Sequence, residues 1–138
     1  MEEFADLLEA LTFSPSRNRK IALLADYFRD APEGNRGFAF AALTGRLSFK
    51  AVKPALFRAL AAEKLDPVLF ELSYDFVGDL AETISLIWPG KAVRSTPSLK
   101  EVVALLSNIS RSDAPQLLAR LLDALNPSSR YALIKLAT

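Results

Sequence analysis

Cysteine and histidine are both absent from this 138-residue chain. Without cysteine there are no disulfides and no thiolate metal sites, which fits a cytoplasmic setting. Without histidine the chain lacks the usual general base, any Ser-His-Asp arrangement and every imidazole-ligated metal. Carboxylate-only cation sites need a suitable loop, and no Asp-x-Asp-x-Asp-type loop occurs, so no metal is expected. Phosphate-cradling turns are missing too: there is neither a Gly-x-x-x-x-Gly-Lys-Ser/Thr run nor a Gly-x-Gly-x-x-Gly turn. Long hydrophobic runs are lacking as well. Charges or prolines interrupt every apolar stretch before the ~18 residues that a membrane span needs. The acidic opening, Met1-Glu2-Glu3, speaks against a secretory signal. By itself the chain carries no recognisable catalytic equipment.

What is present is a large apolar fraction, 51% of residues, in a length suited to one domain with a real core. The net charge is only +1, but it is unevenly distributed. Between Gly34 and Ala62 there are five bases (Arg36, Arg46, Lys50, Lys53 and Arg58) and no acid. Ser14 to Lys20 is also acid-free, as is Pro89 to Lys100. Acids gather at Glu2, Glu3, Asp6 and Glu9, and again between Glu63 and Glu82. This segregation predicts a basic face on a nearly neutral domain.

The centre of the chain reads as a corner. An apolar helical pattern (Val68, Leu69, Leu72, Phe76) stops at Gly78, and a second follows at once with Leu80, Ile84, Ile87 and Trp88. Gly78 suits a left-handed C-cap, and Asp79 suits the N-cap of the next helix. Upstream, a first helix is expected over about Glu2 to Leu11. A second, capped by Ser16, should run to about Arg29 and bury Ile21, Leu24, Ala25 and Phe28. A loop from Ala31 to Gly37 should lead into an alanine-rich helix ending at Gly45. Ser48 is a candidate cap for the next helix, with Pro54 in its first turn. Asp66-Pro67 should open the helix that enters the corner. Downstream of Trp88-Pro89-Gly90 comes a long polar connection to Pro97. Ser98-x-x-Glu101 then forms a capping box for a helix to about Leu106. Asp113 to Leu125 and Ser128 to Ala137 complete the set, split by Asn126-Pro127. No sustained two-residue alternation predicts a strand. The expected fold is all-α, a compact domain of roughly nine short helices.

Gly78-Asp79-Leu80-Ala81-Glu82-Thr83 resembles the Gly-Asp-(Leu/Val)-(Ala/Gly)-Glu stretch in the N-terminal DNA-binding domain of bacterial ATP-dependent DNA ligases. Other pieces follow in the same order: Phe4, Leu7, Leu8 and Thr12; Arg17, Lys20 and Leu23-Leu24-Ala25-Asp26-Tyr27-Phe28; Leu43-Thr44-Gly45-Arg46; and Arg130 to Leu136. The resemblance covers essentially all of residues 1–138. It implies a clamp that holds nicked double-stranded DNA across its minor groove, in replication, repair and recombination. The remaining ligase domains would lie elsewhere in the same chain, and ATP and Mg2+ would serve the full-length enzyme, with no cofactor in this segment. The family's adenylated lysine sits in Lys-x-Asp-Gly. Here Lys64-Leu65-Asp66-Pro67 lacks the glycine, so no catalytic lysine is assigned and the segment alone should be inactive. The last helix carries no stop signal, which makes an N-terminal part of a larger enzyme the expectation.

A clamp of this kind needs cations and small polar groups at helix ends rather than base readout. Three groups qualify. Ser16, Arg17, Asn18, Arg19 and Lys20 form one helix start. Arg46, Lys50 and Lys53 lie at another helix start, and Lys91, Arg94, Ser95 and Thr96 lie in the long connection. Tyr27, Tyr74, Phe76 and Trp88 could stack on bases, but their helical spacing points to core packing. Gly78-Asp79 reads as a structural corner. Asp75, Asp79 and Glu82 lack a metal-binding loop. The alternative reading, from a different class, is a helical protein-interaction module that binds no nucleic acid.

Overall fold

A computed structural model describes residues 1–90 and 96–138. Among them are nine helices and no strand: α1 (Glu2–Phe13), α2 (Arg17–Asp30), α3 (Glu33–Leu43), α4 (Pro54–Lys64), α5 (Pro67–Val77), α6 (Leu80–Ile87), α7 (Leu99–Asn108), α8 (Ala114–Ala124) and α9 (Pro127–Ala137).

Most helix starts are set by local chemistry. The side chains of Ser16, Asp66, Asp79, Ser98 and Asn126 each accept the backbone N–H three residues on, the N-cap arrangement. Proline occupies the first or second position of α4, α5, α8 and α9, where its missing N–H removes no helical bond. Gly78 takes φ +77 and its N–H donates to the Tyr74 carbonyl, closing α5. An L-residue would be strained in that conformation.

The centre of the fold is α9. Ser129, Arg130, Ala132, Leu133, Ile134, Leu136 and Ala137 are all buried, so this helix is covered nearly all round. On it lie α1 and α6; α2 packs on α1, α5 on α6, and α3 on α7. Phe57 of α4, Ile84 of α6, Leu99 and Leu106 of α7, and Leu118 and Leu122 of α8 complete one continuous core.

Several expectations are corrected by tertiary contacts. The residues 31–37 are not a loop: α3 starts at Glu33, directly after Pro32. Asn35 is buried there because its Oδ1 accepts the Lys100 backbone N–H at 3.0 Å, holding α3 to the start of α7. Ser48 caps nothing. The chain runs through a connection that buries Phe49 and Val52, and helix α4 begins only at Pro54. In α2 the inward residues are Leu23, Leu24, Tyr27 and Phe28, whereas Ile21 and Ala25 face solvent. Aromatic contacts from Phe4 to Tyr27 and from Phe28 to Phe40 hold the C-terminal half of this helix and leave its start free.

The largest correction concerns α5. Its expected core stripe, Val68, Leu69, Leu72 and Phe76, is exposed, with Leu72 at 64% and Phe76 at 93%. Phe70, Ser73, Tyr74 and Val77 face inward instead. Both sets have helical spacing, and the packing of α5 on α4 and α6 decides between them.

Candidate nucleic-acid interface

The start of α2 is a cluster of exposed polar groups. Ser16 Oγ accepts the Arg19 N–H at 3.3 Å, and the Ser16 carbonyl accepts the Lys20 N–H at 3.0 Å. Arg17, Asn18, Arg19 and Lys20 all face solvent. Among the described residues none of the three cations has a carboxylate within ion-pair distance, and the first turn contains no acid. Positive charge at the positive end of the helix dipole costs a few tenths of a kcal/mol per residue, and a bound anion reverses the sign. The local arrangement is therefore strained electrostatically in a way that an external phosphate would relieve.

Arg46, Lys50 and Lys53 are exposed in the connection between α3 and α4, with Lys53 in the N-cap position of α4 but making no side-chain cap bond. These three do not share a helix start, because the helix begins after all of them. Lys50 lines a depression of about 380 Å³ together with Ser48, Ser107, Asn108 and Arg111. Among the described residues no acid lines this depression. Arg111 is a partner that sequence reasoning missed. It follows α7 in the turn Ser110-Arg111-Ser112, far along the chain, and only the fold places it beside Lys50. The Ser-rich turn after a helix was the one local hint.

Lys91, Arg94 and Ser95 fall outside the described residues; Thr96 is half-buried just before the Ser98 cap. Among the described residues no hydrogen bond or ion pair joins the α2 start to the depression at Lys50.

No family model matches this chain, and neither does any curated protein or solved structure.

The conspicuous polar groups elsewhere are structural. Arg130 is only 3% exposed and donates to the carbonyls of Leu122 at 2.7 Å and Trp88 at 3.2 Å, and to that of Gly90. It thus satisfies the carbonyl-rich ends of α6 and α8, where a cation complements both dipoles. Burial pushes the Arg130 pKa down, while the nearby Asp123 carboxylate opposes that shift. An arginine keeps its charge under both influences. Trp88 is buried, and its Nε1–H donates to Asp123 Oδ1 at 2.8 Å, so it is unable to stack on a base. Gly90 belongs to the same knot: a Cβ there would fall on the Asp123 backbone.

The corner between α5 and α6 is likewise structural. Asp79 Oδ1 accepts the Glu82 N–H at 2.8 Å, and Oδ2 accepts from Lys135 Nζ at 2.9 Å. Burial works to raise the Asp79 pKa, but the Glu82 N–H and the Lys135 ammonium outweigh it and hold the carboxyl below its ordinary value. Among the described residues no group of three or more acidic side chains is placed to hold a metal ion. No helix among them is long and apolar enough to cross a membrane.

Proposed function

We propose that this domain binds nicked double-stranded DNA without reading its sequence, through phosphates flanking the minor groove, as the N-terminal clamp of an ATP-dependent DNA ligase. The observation that carries the proposal is the start of α2, where Ser16 to Lys20 are exposed and three cations stand without a carboxylate partner among the described residues. The acid-free depression at Lys50 and Arg111 supplies a second place for a phosphate. The resemblance around Gly78-Asp79 supports the ligase assignment. Adenylation and strand joining then belong to the remaining ligase domains, with ATP and Mg2+ there, in a cytoplasmic enzyme of replication, repair and recombination.

Nicked-duplex binding measured at two salt concentrations tests the proposal. Phosphate contacts release counterions, so affinity should fall steeply as salt rises. Affinity that is independent of salt would overturn it.

One observation favours a second reading, a helical protein-interaction module. The apolar stripe of α5 lies in solvent rather than in the core. The second reading as a whole excludes DNA binding, but protein docking on α5 does not, since the start of α2 is a different surface.

A further inference from the structure

The exposed stripe of α5 does not stand alone. Leu72, Phe76, Val77 and Ile87 line a groove of about 320 Å³ that runs to Leu86 of α6, which is 61% exposed. Leu86 also lines a second groove of about 280 Å³ with Tyr131 and Phe13, the latter 78% exposed. One apolar surface therefore continues from α5 across α6 to the end of α1, with Leu86 as its shared ridge. Contiguous apolar exposure of this kind marks an interaction site.

The three helices that form it carry charge of one sign. Helices α1, α5 and α6 carry seven acids (Glu2, Glu3, Asp6, Glu9, Glu71, Asp75 and Glu82) and no base. Glu9 and Glu82 stand on the wall of the second groove. At 100° per residue, Glu71 and Asp75 border the Val68–Leu72–Phe76 stripe along one edge. The bases of α4 and α9, which pack against α5 and α6, are already engaged, whereas Arg17, Arg19 and Lys20 of α2 stand exposed beyond Phe13 at the far end of the surface. In α4, Lys64 lies 3.8 Å from Glu63 and Arg58 lies over the Tyr74 ring. In α9, Lys135 pairs with Asp79 and Arg130 is buried on carbonyls.

We infer that this face docks an amphipathic helix of a partner protein, one whose apolar stripe is bordered by lysine or arginine. A two-helix groove with ridges at helical spacing takes the apolar face of such a helix, and the acidic border selects its charge. A two-fold contact with a second copy would set acids against acids. Glu71, Asp75 and Glu82 would repel an anionic lipid surface from the α5–α6 part of the face.

The test uses the full chain and a fluorescein-labelled leucine/lysine amphipathic peptide of about 14 residues, roughly four helical turns. A leucine/glutamate peptide with the same apolar stripe is the charge-reversed control. Fluorescence anisotropy should show saturable binding of the lysine peptide. Affinity should be at least about tenfold weaker for the glutamate peptide, and about tenfold weaker for Phe76→Ser or Leu86→Ser with the lysine peptide. Both side chains are exposed, so circular dichroism of the variants should be unchanged, and their DNA binding should be retained. Equal affinity for the two peptides, or full affinity in both variants, would overturn the inference. So would self-association, or binding to phosphatidylserine vesicles, that Phe76→Ser abolishes, since either assigns the face to another occupant.

Discussion

Arg130 and Ser129 are neighbours on the central helix with opposite polar outcomes. Arg130 meets helix-end carbonyls from α6 and α8, whereas the buried Ser129 Oγ has no hydrogen-bond partner among the described residues. A lysine at position 130 has one ammonium and lacks the planar fork that reaches both ends. Arg130→Lys should therefore cost about 2 kcal/mol or more, because buried carbonyls are left unpaired. The urea midpoint measures this, and an unchanged midpoint would contradict the assigned role. Ser129→Ala removes an unsatisfied hydroxyl while keeping the backbone N–H that Asn126 accepts. Its stability should stay level or rise by up to about 1 kcal/mol, and a clear loss would show that the hydroxyl is bonded after all. Neither role could be read from the sequence, where Arg130 entered only as part of the resembling segment Arg130 to Leu136 and its carbonyl partners lie up to 45 residues away.

At the scale of elements, the corner formed by α5, Gly78, Asp79 and α6 couples a cap to an ion pair. The folded-state pKa of Asp79 is depressed, so its stabilisation is present above the unfolded carboxyl value near pH 4. It is lost as pH falls through the lower folded-state value. The Lys135 pKa is raised, foremost by the hydrogen bond to Asp79, so its share persists at neutral pH and is lost only in strong alkali. Asp79→Asn keeps a capping oxygen but removes the charge. It should cost less than about 1 kcal/mol at pH 7, because the pair is partly exposed and screened. It should also flatten the acid limb of the stability profile below about pH 4. Asp79→Ala should lose about 1 kcal/mol more through the missing cap. Urea titrations across the pH range separate the two contributions, and an acid limb unchanged in Asp79→Asn would refute the pairing.

These ends were legible beforehand because caps are local. Ser16, Asp66-Pro67, Gly78-Asp79, Ser98 and Asn126-Pro127 each announce a boundary within three residues. Helix faces are a different matter. The stripe Val68–Leu72–Phe76 and the set Phe70–Tyr74–Val77 have the same periodicity, and only packing on α4 and α6 chooses the second. Asn35 looked like part of a loop because its partner, the Lys100 N–H, lies 65 residues further on. The candidate site divides in the same way. The α2 start is a local cluster and visible in the sequence, whereas Arg111 joins Lys50 only through the fold.

Across the whole molecule, a net charge of +1 conceals a segregation by element. Glu9, Glu71, Asp75 and Glu82 border an apolar surface, while the start of α2 and the α3–α4 connection carry bases without acids. The proposed function uses the second set of elements for nucleic acid, and the inferred docking face uses the first. The Lys50 depression adds its own expectation. Neutralising Arg111 to Gln should weaken DNA binding as much as neutralising Lys50 and lower the salt slope by about one contact each. A variant that binds like the wild type would remove the depression from the interface.

The most direct test of the clamp is the dependence of nicked-duplex affinity on salt in the wild type and in the triple variant Arg17→Gln/Arg19→Gln/Lys20→Gln. Each phosphate contact contributes roughly 0.9 to the slope of log K against log salt. The account predicts a steep slope in the wild type, shallower by up to about 2–3 in the variant, with weaker binding at every salt concentration. An identical slope and affinity in the two proteins would contradict it.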